Sequence, residues 1–264
     1  MIITLLTDFG TADYFVGAMK GVILSINEKA QIIDITHEIP PQIIASASFV
    51  LRSCYKDFPK KTIFVAVVDP GVGSSRRAIL VETEKYLFLA PDNGLLSFVF
   101  EEEKNFSVYE LTDERFFRRP LSQTFHGRDI FAPVAAHLSR GVSPEEFGIS
   151  VKDFIILKQK QPKRVSANRI EAEIIYIDRF GNLVTNLKKT DLSAGFVLEI
   201  NGARIEKQQS FYRQAGEGEF FMIWGSAGFL EVAVFEASAK SLLNAKIGEK
   251  IYLTENEKSE TENE

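Results

Sequence analysis

From Met1 to about Gly148 the chain alternates short β-branched runs with stretches of helical spacing, and that alternation limits the fold more than any other feature. "IITLLTD" is followed by "DYFVGAMKGVILSI", then by "QIIDITHEI", "IIASASFVLRSCYKDF" and "TIFVAVVD". Strand-like and helical patterns taken in turn predict an α/β domain with a central sheet flanked by helices. "AILVET" and "YLFLA", separated only by "EK", predict a hairpin, so the sheet is expected to be mixed. "GRDIFAPVAAHLSRG" predicts one more helix, ended by Gly141.

The pattern changes at "LKQKQPKRVSANR", which is polar, basic and carries a proline. Beyond it, "IEAEIIYIDR", "NLVTNL", "FVLEI", "ARIEK", "EFFMIW", "FLEVAVF" and "KIYLT" are short and strand-like, divided by glycine-containing turns. They predict a small all-β C-terminal barrel or sandwich. The boundaries read as an α/β domain over 1–157, a linker over 158–169, a β-barrel over 170–254 and an acidic tail over 255–264, too polar to fold by itself.

At 264 residues and 45% hydrophobic content, the chain is long enough for two cores. A formal net charge of −5 argues against electrostatically driven nucleic-acid binding. One cysteine, Cys54, allows no internal disulfide, which fits a cytoplasmic protein. The N-terminal "MIITLLTDFG" lacks a basic n-region and a cleavage site, so it reads as structure and not as a targeting signal. Nor does any apolar run approach the roughly 20 residues of a membrane helix.

Ligands of α/β sheets gather at strand ends, where side chains and helix N-termini converge. Asp8 ends the first strand, Asp13 opens the next helix and Asp69 ends the third strand. Turn formation and helix capping account for Asp8 and Asp13 on spacing alone; the sharper reading is a carboxylate gripping a sugar diol. In "VVDPGVGSSRR", Pro70, Gly71 and Gly73 allow a sharp reversal that returns Arg76 and Arg77 near Asp69. A purely structural Asp–Arg pair explains this stretch equally well. No Lys-Ser or Lys-Thr follows the glycines, so it is not a phosphate-binding Walker loop. "DFG" at Asp8 comes without the other kinase motifs.

Of the three histidines, His126 in "TFHGRDIF" is the best functional candidate, ahead of His37 and His137. No HExxH or paired-cysteine motif points to zinc, although spacing alone leaves open a metal held by Asp8, Asp69 and His126. In "IDRFGNLVTNL", Asp178, Asn182 and Asn186 are explained either by hairpin chemistry or by an acid and amides facing a purine. Ser226 is a candidate for a carboxylate, and Trp224 reads as core or interface.

Taken together and in order, "LLTDFGTADYFVGAMKGVI", "DITHEIPP", "VVDPGVGSSRR", "FHGRDIFAPVAAHL", "IDRFGNLVTNL" and "GFLEVAV" resemble the S-adenosyl-L-methionine hydroxide adenosyltransferases. These are the hydrolase branch of the superfamily that includes fluorinases and chlorinases. The resemblance implies a catalytic α/β domain, a C-terminal β-barrel, and a homotrimer whose site lies between subunits. It also implies metal-free, cofactor-free cleavage of S-adenosyl-L-methionine by water into adenosine and L-methionine. The family's Asp-Arg-His set falls on Asp69, Arg76 and His126, with Arg77 as support. Its ribose-binding acid falls on Asp13, its methionine contacts on Asp178 and Ser226, and its adenine contact on Asn182, completed by backbone near Val234 to Glu236. Asp8 and Glu231 complete the expected substrate-binding residues.

Departures matter too. Halogenating relatives carry a tyrosine at the position of Asp69, a serine at Gly127 and an arginine at Ala227; many hydrolase relatives carry asparagine at Gly225. An acid at position 69 favours water over a halide. Other readings are a halogenase forming 5′-haloadenosine, a nucleoside-binding module with little turnover, and a metal-dependent phosphoesterase.

Overall fold

A computed structural model describes residues 1–158, 160–192 and 195–255. Met1–Lys158 form one compact unit and the remainder a second.

The first unit begins β1 (Ile2–Thr7), α1 (Phe15–Ile26), β2 (Gln31–Thr36), α2 (Ile44–Cys54) and β3 (Ile63–Val67). β1 pairs in parallel with both β2 and β3. β4 (Ala78–Thr83) and β5 (Leu87–Pro91) form the expected hairpin, and β5 lies parallel to β3. α3 (Ser97–Glu102), β6 (Phe106–Leu111), α4 (Ala132–Ser139) and β7 (Gly148–Ser150) complete a mixed sheet of order β2-β1-β3-β5-β4-β6-β7.

β3 is apolar throughout because the sheet is covered on both faces. Its alternate residues serve two cores. Ile63, Val65 and Val67 join Met19, Ile23 and Phe131 on the α1–α4 side, while Phe64 and Ala66 join Leu51, Phe88 and Phe98 on the α2–α3 side. The strand therefore ends between two packed layers, and Asp69 is fixed just beyond it.

The helix expected over 127–140 starts differently. Gly127–Phe131 form a wide π turn that runs into α4. Pro133 has no N–H to offer the carbonyl of Asp129, and that carbonyl accepts the Arg118 N–H at 2.8 Å instead.

The second unit is an antiparallel sheet of β8 (Lys163–Ser166), β9 (Arg169–Ile177), β10 (Leu183–Lys188), β11 (Phe196–Ile200), β12 (Ala203–Ile205), β13 (Phe220–Trp224), β14 (Phe229–Val234) and β15 (Lys250–Glu255). A short helix, α5 (Ala239–Leu243), follows β14. The strand order is β12-β11-β15-β9-β10-β14-β13, with β8 on β9. Just past β12, the Lys207 carbonyl accepts from Met222 N–H at 2.8 Å and Gln209 N–H donates to the Met222 carbonyl at 2.9 Å, nearly closing the sheet into a barrel. Leu198, Met222, Leu230 and Ile251 fill its interior. β8 lies inside the stretch read as linker, and the acidic tail beyond Glu255 lies outside the described residues.

Candidate active site

Asp69 stands two residues beyond β3 and Arg76 two residues before β4, joined by a turn in which the Asp69 carbonyl accepts from Val72 N–H and Gly71 from Ser74 N–H. Gly73 sits at φ +79°, and a Cβ there would lie 2.3 Å from the Gln123 carbonyl oxygen. Only glycine meets both demands. Arg76 Nε donates to Asp69 Oδ1 at 3.1 Å and Nη2 donates to Oδ2, while Nη1 donates to the Arg77 carbonyl at 3.1 Å.

The same Nη2 lies 3.0 Å from His126 Nδ1. A guanidinium only donates, so Nδ1 accepts and the neutral ring carries its proton on Nε2. Burial, then the Arg76 charge, pushes the His126 pKa below its usual 6.5, against smaller opposing effects of Asp69 and Asp129. The structure thus brings Asp69 and Arg76, from one turn, and His126, 50 residues further along, into one contact.

Arg77 points elsewhere. Its Nε and Nη2 donate to buried Asp92 Oδ2 at 3.0 and 2.7 Å, and its Nη1 donates to Asp153 Oδ1 at 2.8 Å. Asp8 Oδ2 accepts from Gln42 N–H at 2.8 Å, and Asp13 is exposed in the loop before α1, whose N-terminus no side chain caps. Buried His37 contacts Thr7 Oγ1 at 2.8 Å. His137 packs edge-on against Phe116, with its pKa lowered by burial and by Arg140. Among the described residues, no group of three or more His, Cys, Asp or Glu is placed to hold a metal ion.

In the second unit, Asp178, Phe180, Asn182, Tyr212 and the run Val234–Ala237 line a cavity of about 540 Å³. Asp178 Oδ1 accepts from the N–H groups of Phe180 and Asn182 at 2.9 and 2.8 Å, and its Oδ2 accepts from Asn182 Nδ2 at 2.9 Å. Hairpin chemistry and cavity lining therefore coincide in the same two side chains. Asn186 is structural: its Oδ1 accepts from Glu173 N–H and its Nδ2 donates to the Lys160 carbonyl.

Tyr212, which sequence reasoning missed, is held in a short turn; its hydroxyl donates to Glu231 Oε2 at 3.3 Å, and Asn182 Nδ2 approaches it at 3.5 Å. Burial raises the Glu231 pKa, and burial with the Glu231 charge pushes the Tyr212 phenol up to about 12. A Cβ on Gly225 would fall 1.8 Å from Glu231 Oε1, so the absence of a side chain at 225 gives that carboxyl its room. Glu231 thus reaches the cavity through Tyr212, whereas Ser226 is exposed on the β13–β14 turn and is not among the lining residues. Trp224 packs against the barrel core.

An α/β unit that buries a carboxylate–guanidinium–imidazole set past its strand ends, joined to a β-barrel unit with a mostly apolar cavity, has the makings of an enzyme site. The SAM hydroxide adenosyltransferase N-terminal domain matches residues 3–148, and the corresponding C-terminal domain matches residues 172–252. The chain belongs to the SAM hydroxide adenosyltransferase family. It is 38% identical over 263 residues to an (R)-S-adenosyl-L-methionine hydrolase of Methanocaldococcus jannaschii, covering 92% of each chain. A fluorinase of Actinoplanes sp. is more distant, at 29% identity over 72% of this chain and 73% of that one. A solved structure of a conserved Thermotoga maritima protein superposes with a TM-score of 0.87 at 38% identity, covering 96% of this chain and all of the other.

Proposed function

We propose that this protein hydrolyses (R)-S-adenosyl-L-methionine to adenosine and L-methionine by attack of water at the 5′ carbon. The observation that carries the reading is Arg76 bound at once to both Asp69 oxygens and to His126 Nδ1. Displacing a neutral thioether from a sulfonium needs no general acid, so the catalytic burden falls on the water. It must be held and must lose a proton, a task worth roughly 10²–10⁴-fold when a placed side chain performs it.

With its proton on Nε2, neutral His126 donates a hydrogen bond to the water oxygen. Asp69 oxygens each keep a lone pair beyond those Arg76 occupies, and Asp69 takes the proton. As the O–C5′ bond forms, the C5′–S bond breaks with both electrons going to sulfur, and the proton passes from Asp69 to solvent. Arg76 also offsets much of the Asp69 charge. Repulsion of a halide is therefore weaker than the acid alone suggests, and proton acceptance is the stronger reason for water as nucleophile.

The catalytic role goes to the first unit, and the cavity of the second takes the nucleoside, with Asn182 and backbone at Val234–Glu236 on the adenine. Asp8 and Asp13 serve the ribose, and Asp178, Glu231 and Ser226 the methionine end. The working form is a cytoplasmic homotrimer that completes its sites between subunits and needs neither metal nor cofactor. Among the described residues, no helix is long and apolar enough to cross a membrane.

The test is a chromatographic assay of each sulfonium epimer in ¹⁸O-water with excess EDTA, with and without chloride. The expected result is labelled adenosine plus methionine from the (R) epimer, lost in Asp69→Asn and His126→Ala. Bound but uncleaved substrate would make the protein a nucleoside-binding module, and 5′-chloroadenosine would make it a halogenase.

A further inference from the structure

The mechanism uses only His126 from the stretch "FHGRDIFAP", yet Asp129, three residues on, is completely buried (0% exposed), more so than any other acidic residue among those described. Its carboxylate accepts four hydrogen bonds. Arg128 Nε and Nη2 donate to Oδ1 and Oδ2 at 2.7 and 2.9 Å, Ser122 N–H donates to Oδ2 at 2.8 Å, and Arg118 Nη1 donates to Oδ1 at 3.2 Å. A fifth bond joins the same two segments, from Arg118 N–H to the Asp129 carbonyl that Pro133 leaves free. These donors hold the carboxyl below its usual range despite burial, so it stays ionised inside the protein.

The bonds converge on the two flanks of the catalytic histidine. Residues 118 and 122 lie before His126 and residue 128 after it, and the Arg128 guanidinium covers the ring of Phe125, 5.0 Å from its centroid. Within the tied loop, the Gln123 carbonyl packs into the space left by the missing side chain of Gly73. One anchored loop thus rests on the turn that carries Asp69 and Arg76 and presents His126 to it.

We infer that Asp129 is a positioning residue that locks the 118–128 loop so that His126 Nδ1 meets the Arg76 guanidinium. The inference rests on the hydrolytic reading above for its effect on rate. Asp129 touches none of the reacting atoms; it acts by keeping the imidazole in place and in one tautomer. Misplacing a reacting group by about 1 Å costs on the order of 10²-fold in rate.

The test uses the full-length protein and two readouts, ¹⁵N imidazole signals of His126 and steady-state kinetics on S-adenosyl-L-methionine. Asp129→Asn keeps the shape but removes the charge and one acceptor. The expected result in the folded variant is a kcat lowered on the order of 10²-fold, a KM nearly unchanged, and loss of the single Nε2-protonated signature of the parent. Arg118→Gln, at a partly exposed side chain, removes one bond and gives a smaller fall in the same direction if Asp129→Asn does not fold. A folded Asp129→Asn with parental kcat and parental His126 signals overturns the inference, as does a loss that tracks only the unfolded fraction. Should the parent protein leave S-adenosyl-L-methionine uncleaved, the hydrolytic reading fails, while the imidazole signals in the Asp129 and Arg118 variants still decide whether Asp129 positions His126.

Discussion

Arg76 Nη2 lies 3.0 Å from His126 Nδ1 while its guanidinium grips both oxygens of Asp69. A single donor-only group therefore holds both Asp69 oxygens and favours a neutral His126 whose remaining proton is on Nε2.

The first consequence is in the pH–rate profile. Protonating His126 at Nδ1 would set two donors against each other, and its pKa is already held below 6.5 by burial and by Arg76. kcat is expected to stay level through neutral pH and to fall only below 6.5. Measured kcat between pH 4.5 and 9 with an acid limb centred above 6.5 would contradict this.

Stability should follow the same histidines. His126 and His137 both have lowered pKa values in the fold, so between the folded value and 6.5 the unfolded chain binds more protons. Folding stability is then full above 6.5 and declines as pH falls below it. The thermal midpoint is expected to be lower at pH 5.5 than at 7.5, with a smaller difference in His137→Gln. An unchanged difference in that variant would remove His137 from the account.

Gly73→Ala combines a left-handed backbone with a Cβ 2.3 Å from the Gln123 carbonyl oxygen, which is backbone and cannot swing aside. The expected destabilisation is at least about 1 kcal/mol, read as a shift in urea midpoint. Because the same turn carries Asp69 and Arg76, kcat should fall as well.

Phe180 lines the second-unit cavity with 77% of its surface exposed, so its ring contributes little to the fold. In Phe180→Ala the adenosine Kd should rise about 10-fold, from a ring–base contact worth about 1–3 kcal/mol, with stability within about 0.5 kcal/mol. Calorimetric titration and a thermal melt measure both, and unaltered affinity would move the nucleoside out of this cavity.

A site shared between subunits makes activity depend on assembly. Specific activity is expected to drop on dilution through the range where light scattering shows dissociation. Constant specific activity through that range would place the whole site within one chain.

Much of this is legible in the sequence. The βαβαβ opening and the β4–β5 hairpin follow from period-2 runs, helical spacing and a two-residue connection, all local signals. The residues of the proposed catalytic set stand out because acid, glycines and arginines crowd one turn and a histidine precedes a glycine. Tyr212 carries no such signal. It sits in a three-residue turn and gains its role only from Asn182 and Glu231, 30 and 19 residues away. The π turn after His126 likewise reads as plain helix, although Pro133 is visible, because the carbonyl it frees is satisfied by a distant N–H.

Local patterns along the chain are enough for the elements, the two-part division and the short list of chemistry-bearing side chains, since each depends on neighbours a few residues apart. They do not decide between Arg76 and Arg77. Adjacent residues of extended chain point to opposite faces, so one arginine meets Asp69 and His126 while the other meets Asp92 and Asp153. Which face holds which partner depends on packing against residues 7 to 76 positions away, and periodicity along the chain does not specify it.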